Sequence, residues 1–397
     1  MAQGCYNLSI PHDMMSGTNN CMDSTAGCTD RCAAGCASSG GFLRSIFQKF
    51  QARSCLAMFS PFTTFKTHDG SNMQFFGRLS INNFELGPTI GKGSYATVCV
   101  ARLSNEKKKS SPIALKILHK SKMIKEHQMD HVKNERDILA STSHPFVVQY
   151  ITSFQDSVNL YIVMEYISGG EMFSYLRKFG TLGVRTTKFY IAEVTLAMDY
   201  LHNKCIIYRD LKPENILVDK FGHVKLADFG FAKRIYGQTY TLCGTSEYLA
   251  PEVFLRAGHS FETDWWSMGI MLYEFLVGTP PFTSKSSLDT YNLALANNIK
   301  FTPSVPIQAK SLIRGLLKVD PRYRFGGKRL TSKYIYNHAF FRGIDWERLV
   351  QKRINPPIVP KIRSEFDTAN FDKYPETWLS HKAAISRREQ SRYFRDF

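Results

Sequence analysis

Long hydrophobic runs are missing from this 397-residue sequence, since no stretch reaches the eighteen or so apolar residues that a membrane-spanning helix needs. CxxC pairs are absent too, although most of the nine cysteines lie near the start of the chain. These early cysteines are Cys5, Cys21, Cys28, Cys32, Cys36 and Cys55. Reduced thiols in a flexible tail are the simplest interpretation, with zinc binding or palmitoylation as alternatives.

Acidic residues are in deficit, with 34 Asp and Glu against 51 Lys and Arg and a formal net charge of +17. A basic surface attracts phosphates in nucleic acids and membranes alike. No basic helix, aromatic RNA-binding set or zinc-finger spacing accompanies the charge, so we expect no nucleic-acid partner. The first residues do not resemble a signal peptide. We therefore expect a cytoplasmic location, with nuclear or peripheral membrane association left open.

The first part of the chain, residues 1–83, is predicted to be an extension outside the main fold. Up to about residue 41 it is rich in Gly, Ser, Asn and Cys and has no sustained period, which is typical of a flexible tail. Near 41–58 the spacing of Phe42, Ile46 and Phe50 predicts an amphipathic helix. Its apolar face would dock on the folded core or adsorb to an anionic membrane.

Hydrophobic periodicity divides the following residues into two regions. Short strand-like runs occur at 84–86, 96–103, 113–118, 147–154 and 160–164, with one helical pattern at 129–141. Helical patterns follow at 187–204, 264–277, 288–296 and 307–317. The fold class is therefore α+β: a small antiparallel-sheet lobe with one main helix, then a larger, mainly α lobe. We place the folded domain at 84–341 and a C-terminal tail at 342–397.

Three groups of residues carry the chemistry. The glycines of 91–98 would let a hairpin backbone approach a phosphate closely. Lys116 lies in an apolar strand, where an ammonium is costly unless it is paired, and Glu135 on the 129–141 helix is the candidate partner. Finally, 208–215 concentrates acid, base and amide groups in a short irregular turn, and Asp228-Phe229-Gly230 supplies a second carboxylate.

These motifs, with Ala250-Pro251-Glu252, resemble those of the protein kinases over about 84–341. The resemblance implies a bilobal kinase fold that uses ATP and Mg²⁺. It implies Asp210 as the base for the substrate hydroxyl, Lys212 as a charge stabiliser, and Asn215 and Asp228 as metal ligands. The nucleotide-binding residues that it implies are Gly91, Lys92, Gly93, Ser94, Tyr95, Ala96, Val98, Ala114, Lys116, Glu135, Met164, Glu165, Ile167, Glu171 and Phe371.

The details favour a serine/threonine kinase of the AGC group. Lys212 and Gly244-Thr245 resemble serine/threonine kinases, and Tyr208 stands where most kinases have His. Several stretches are more similar to the cyclic-AMP-dependent kinases, including their AGC-type C-terminal tail. They are 169–174, 241–245, Asp264-Trp265-Trp266 and the terminal Phe394 and Phe397.

This closer resemblance implies protein substrates with Arg-rich flanks. Glu171, Glu214 and Glu274 would bind the arginines, and Leu242 and Leu249 would contact the residue after the acceptor. It also implies phosphorylation of Thr241 and inhibition by a cAMP-binding regulatory subunit. Three features depart from the pattern: Tyr240 stands in place of Trp, Ser246 in place of Pro, and Pro375-Glu376-Thr377 in place of a longer acidic run. The alternatives are an AGC kinase not controlled by cAMP, or a pseudokinase scaffold that kept the fold alone.

Overall fold

A computed structural model describes residues 62–66, 72–76, 79–93, 95–104, 110–375, 384–395 and 397. The predicted amphipathic helix near 41–58, the early cysteines and Ser94 lie outside these residues. An antiparallel pair of strands comes first, β1 (Phe62–Lys66) and β2 (Asn72–Phe76). None of the helices described combines the length and apolar character that a bilayer crossing requires.

The small lobe is a five-stranded antiparallel sheet with the strand order β3-β4-β5-β7-β6. Its strands are β3 (Phe84–Lys92), β4 (Ala96–Leu103), β5 (Ile113–His119), β6 (Tyr150–Gln155) and β7 (Asn159–Glu165). Alternation along β5 sends Leu115 and Ile117 into one apolar cluster, while Lys116 lies on the opposite face. Two helices, α1 (Lys120–Lys125) and α2 (Met129–Ser141), follow β5.

The large lobe is mainly helical and is built around two buried helices, α4 (Gly183–Asn203) and α6 (Glu262–Val277). Both are apolar on nearly every face, which is why they occupy the centre of the lobe. The other helices are α3 (Met172–Phe179), α5 (Pro251–Phe254), α7 (Ser287–Ala296), α8 (Ile307–Leu316), α9 (Ser332–Tyr336), α10 (Trp346–Val350) and α11 (Arg387–Tyr393). Short strands β8 (Ile206–Ile207), β9 (Ile216–Val218), β10 (Val224–Leu226) and β11 (Lys233–Arg234) frame the loops between the lobes.

The predicted α+β class and the main elements are confirmed, with shifts at their ends. Helix α4 begins at Gly183 rather than residue 187, and α6 begins at Glu262 rather than residue 264. The prediction of a strand at 147–154 was wrong in its first residue, since β6 spans Tyr150–Gln155. Apolar residues before Tyr150 face the large-lobe core in extended chain, which an apolar run alone does not distinguish from a strand.

The C-terminal tail crosses both lobes. Backbone of the tail passes so close to Gly170 that a side chain there would meet the Asn370 carbonyl oxygen at 2.2 Å, and Gly170 also has a φ of +78°. Farther on, α11 brings Phe394 into an apolar cluster of the small lobe with Leu118 and Ile162. The fully buried Lys120 donates to Gln390 at 2.6 Å and lies 5.1 Å from the Phe394 ring centroid.

Candidate active site

The catalytic loop after β8 is held in place by one buried carboxylate. Asp264, fully buried near the start of α6, accepts hydrogen bonds from the backbone N–H groups of Tyr208 and Arg209 at 2.9 and 2.8 Å. The Tyr208 hydroxyl donates to the Ala227 carbonyl, next to Asp228. Arg209 has a φ of 69°, a conformation that costs energy and is maintained by these contacts. The loop is therefore fixed before any substrate binds.

Asp210 lies at the centre of a polar network in this loop. The Asn215 side-chain amide donates to Asp210 Oδ2 at 2.7 Å, and Lys212 Nζ lies 3.0 Å from the same oxygen. Thr245 donates to Asp210 Oδ1 at 3.1 Å and accepts from Lys212 at 2.8 Å. This arrangement orients a carboxylate and places an ammonium beside it. A hydroxyl brought to Asp210 could give up its proton there, next to a cation that stabilises developing charge.

A second charged group links the two lobes. Lys116 Nζ lies 2.5 Å from Glu135 Oε1 and 3.5 Å from Asp228 Oδ1. Burial favours the neutral amine, but Glu135 and Asp228 outweigh it and hold the pKa of Lys116 above its ordinary value. Lys116 in turn lowers the pKa of Asp228. Lys116 is thus a fixed cation and Asp228 a fixed anion, as anchoring a phosphate and ligating a metal require.

The donor set of this site fits Mg·ATP. Mg²⁺ is commonly held by one or two carboxylates together with the phosphates of a substrate. Asp228 and Asn215 can supply two hard oxygen donors, a carboxylate and an amide carbonyl. Such a partial ligand set suits a metal that arrives with a nucleotide. When bound, Mg·ATP would supply the transferable phosphoryl group and the charge that neutralises it.

The residues implied as nucleotide contacts cluster on the Lys116 face of the sheet. Val98 is paired in register with Lys116, and Ala114 with Met164, so these four share one face. Ile167 is buried beyond β7.

Glu165 and Phe371 make other contacts. The Glu165 carboxylate bonds Lys225 at 2.5 Å and the Gln149 N–H at 2.7 Å, so its side chain is already engaged. Phe371 of the tail lies 6.1 Å from the Tyr166 ring, between centroids, just after β7.

The glycine-rich hairpin connects β3 and β4 at the edge of this face. Gly91 is paired with Val98 and Lys92 with Thr97, and the Gly93 N–H donates to the Ala96 carbonyl at 2.8 Å. Tyr95 and Ala96 also pack against the cluster that contains Phe394.

Three carboxylates, those of Glu171, Glu214 and Glu274, lie beside the catalytic loop, and we call them the acidic surface. Burial and the neighbouring Glu214 raise the pKa of Glu171, and burial raises that of Glu214. One Glu214 oxygen is buried without a hydrogen-bond partner among the described residues. Burial also raises the pKa of Glu274 to about 7, although the Tyr248 hydroxyl donates to it. Carboxylates crowded in this way would be stabilised by an incoming guanidinium.

The segment around Thr241 is exposed. Tyr240 is 61% exposed, Thr241 is also exposed, and Leu242 and Leu249 are half-buried against the large-lobe core. The Ser246 hydroxyl donates to Glu247 at 2.7 Å.

Arg209, a half-buried cation beside this segment, has an unused donor. Arg209 donates through Nε to the Phe231 carbonyl at 2.7 Å, but its Nη1 is buried with no hydrogen-bond partner among the residues described. Two other cations are engaged elsewhere. Lys233 bonds Thr239 at 3.2 Å, and His131 shares a hydrogen bond with Gln128 at 2.8 Å.

Three supporting residues were given no role in the site from the sequence, although Asp264 and Thr245 belong to stretches that carry the family resemblance. Asp264 positions the catalytic loop, Thr245 connects Asp210 to Lys212, and Tyr248 bonds Glu274. Each is far along the chain from its partner, so spacing gives no signal for these contacts. The position of Asp264 near the start of a largely apolar helix was the one available hint to its role, because a buried carboxylate must be hydrogen-bonded.

Comparison with known proteins gives a consistent family assignment. Residues 84–341 match the profile of the protein kinase domain. The human cAMP-dependent protein kinase catalytic subunit PRKX is 43% identical over 310 residues, which cover 78% of this chain and 86% of the human protein. The Saccharomyces cerevisiae cAMP-dependent protein kinase type 3 is 43% identical over 301 residues, covering 76% and 75%. The Drosophila melanogaster catalytic subunit 3 is 40% identical over 318 residues, 80% of this chain and 54% of that protein.

Proposed function

The chain belongs to the protein kinase family and is a serine/threonine kinase of the cAMP-dependent kinase type, and we propose that it phosphorylates Ser or Thr next to arginines. The phosphoryl group that it transfers is the γ-phosphate of Mg·ATP. The network around Asp210 carries the catalytic part of this proposal. In it, the Asn215 amide lies 2.7 Å and the Lys212 ammonium 3.0 Å from Asp210 Oδ2, and the Thr245 hydroxyl lies 3.1 Å from Asp210 Oδ1.

Each charged group has a distinct role in the proposal. Asp210 accepts the proton of the substrate hydroxyl, and Lys212 stabilises the charge that develops on the transferring group. Lys116, fixed by Glu135, positions the phosphates, and Asp228 and Asn215 hold the metal. The complete set argues against a pseudokinase scaffold.

Substitution of two of these residues tests the proposal. We expect Lys116→Met and Asp210→Ala to lower kcat/KM roughly a thousandfold or more, because positioning and base functions are lost. Activity would be measured on a peptide with arginines two and three residues before a serine, and circular dichroism would establish that both variants fold. Undiminished turnover in either folded variant would contradict the assigned chemistry.

We further propose that the three acidic residues bind substrate arginines. Glu171 would bind the arginine three residues before the acceptor, and Glu214 with Glu274 the arginine two residues before it. The unpartnered oxygen of Glu214 and the raised pKa of all three carboxylates support this assignment. A positional peptide library tests it, because Glu214→Ala should relax selection mainly at the second position. Selection for acidic or proline-flanked acceptors would be inconsistent with it.

A cAMP-binding regulatory subunit is the proposed partner. The named relatives are catalytic subunits of cAMP-dependent kinases, and an Arg-rich segment of a regulator would fit the same three carboxylates as a substrate. The alternative is an AGC kinase under a different regulator, which the departures at Tyr240 and Ser246 keep open.

A further inference from the structure

A cavity of about 770 Å³ lies in the large lobe, and the catalytic residues do not line it. One wall is a single face of α8 and its continuation, where Ile307, Ser311, Arg314 and Lys318 follow one another three or four residues apart. The opposite wall comes from the chain after α8. It consists of Asp320, Tyr323, Phe325 and Leu330. The volume lies within the range of ordinary ligand-binding clefts.

We call the cavity and the cations at its edge, Arg314, Lys318 and Arg329, the basic groove. It lies in a segment with an excess of positive charge. Residues 301–342 contain nine Lys and Arg and one acid, Asp320. Asp320 is already paired, because its carboxylate forms a salt bridge with Arg322 at 2.7 Å. One of the cations, Arg324, is buried and paired with Glu252 at 2.6 Å. Within this segment the cations therefore outnumber the acids.

Aromatic rings support the cations at the rim. The Arg314 guanidinium lies 5.0 Å from the Phe301 ring centroid. Arg329 lies 5.2 Å from the Tyr323 centroid, and its Nη1 donates to the Tyr323 hydroxyl at 3.3 Å. A guanidinium held over a ring loses less freedom when it binds an anion. These side chains are thus arranged to receive negative charge.

Apolar surface is exposed in the same place. Ile307 is 66% exposed and Tyr323 is 48% exposed, while half-buried Phe325 and Leu330 line the interior. Exposed apolar side chains surrounded by charge are typical of a binding surface rather than of a solvated face. A ligand for this groove must combine negative charge with an apolar group.

We propose that the basic groove binds an acidic peptide segment of another protein, with one aromatic or aliphatic side chain inserted between α8 and Tyr323. A peptide fits better than a simple polyanion because the lining combines the cations Arg314 and Lys318 with the apolar side chains of Ile307, Tyr323, Phe325 and Leu330. The described tail of this chain is an unsuitable occupant, since 387–393 packs beside the small lobe and Asn370 contacts Gly170 and Ser168. The groove is separate from the substrate carboxylates, so its ligand would bind together with a substrate.

The probe is the fluorescein-labelled peptide Gly-Glu-Glu-Phe-Glu-Glu-Gly, titrated with the whole protein and followed by fluorescence anisotropy. We expect Arg314→Glu/Lys318→Glu to weaken binding at least tenfold, since two attractive charges become repulsive. Ile307→Ser should weaken it several-fold through the apolar contact. Lys220→Glu/Lys285→Glu is the matched control, with the same change in net charge at exposed lysines that do not line the groove, and it should bind within twofold of the parent.

Several outcomes would overturn the proposal. They are absence of binding, equal binding by the groove and control variants, or equal binding of a probe whose Phe is replaced by Ala. Binding of heparin or phosphatidylserine vesicles that competes with the probe, while the Phe is dispensable, would instead indicate a general polyanion or membrane surface. Kinase activity on a short basic peptide should be unchanged in the Arg314 and Lys318 variant, which establishes that it folds.

Discussion

At the scale of single residues, Glu274 gives a pH dependence that can be measured. Its pKa is raised to about 7, so the carboxyl is mostly ionised at pH 8 and mostly neutral at pH 6. A neutral carboxyl attracts a guanidinium less strongly. We therefore expect the KM of a peptide with arginine two residues before the acceptor to rise as the pH falls from 8 to 6, by up to about tenfold.

Two controls isolate Glu274 in that experiment. In Glu274→Gln the KM should be high throughout and should change less with pH, because the titrating group is gone. A peptide with alanine in place of that arginine should show little change over the same range. An equally steep rise in the Gln variant would assign the titration to another group, such as Glu214, whose pKa is also raised.

Single residues also mark how far the sequence could predict the site. Lys116 and Glu135 were paired in advance because an ammonium in an apolar strand needs an anion, and their contact is present at 2.5 Å. Asp210 and Asn215 lie five residues apart and do meet. Thr245 contacts Asp210 from 35 residues away, and Asp264 contacts Arg209 from 55 residues away. Only the three-dimensional path of the chain brings such groups together.

At the scale of elements, the segment between Asp228 and Ala250 determines whether the catalytic loop is ready for use. We expect Thr241 to be phosphorylated in the active enzyme, since its side chain is exposed. Arg209, whose backbone carbonyl adjoins Gly244 of the same segment, has a buried Nη1 without a partner among the described residues. A phosphate adds a charge of about −1.5 to −2 and strong acceptor oxygens. Arg209 would bind it, with Lys233 and His131 as further cations, and the segment would become ordered.

Mass spectrometry and a double-mutant cycle test this expectation. Thr241→Ala and Arg209→Lys should each lower activity, and the double variant should be little worse than either one, because both remove the same interaction. An active enzyme with unmodified Thr241, together with full activity in Thr241→Ala, would rule out this role. Additive losses would mean that Arg209 acts through the Phe231 carbonyl alone.

Long periodic elements were predictable, whereas short ones were not. Helices α7 and α8 match their predicted positions to within one residue, and each is ten residues long, enough for a helical pattern to be recognised. The two-residue strands β8 and β11 and the seven-residue α11 carry too few residues for a period. Their positions depend on tertiary contacts, such as that of Phe394 with the small-lobe cluster.

At the scale of the whole molecule, the proposed regulator would cover the acidic surface and the exposed segment together. Its Arg-rich stretch would lie across Glu171, Glu214 and Glu274, as a substrate does. Tyr240, 61% exposed, would contact the regulator beyond these carboxylates. Tyrosine offers a flat apolar face but buries less area than the tryptophan that stands there in the pattern of the cyclic-AMP-dependent kinases. We therefore expect the regulator to inhibit this kinase, with a binding free energy that is less favourable by about 1 kcal/mol because of that contact.

Titration of a purified regulatory subunit into the peptide-kinase assay tests this last prediction. Inhibition should appear, cAMP should reverse it, and Tyr240→Trp should lower the inhibitory concentration about fivefold, which corresponds to about 1 kcal/mol. Tyr236→Ala is the control, because Tyr236 is 73% exposed in the same segment, outside the Tyr240 to Leu249 stretch that would face the regulator, and it should leave inhibition unchanged. Unaltered activity at saturating regulator would mean that the acidic surface receives substrates alone, and that a different partner controls this kinase.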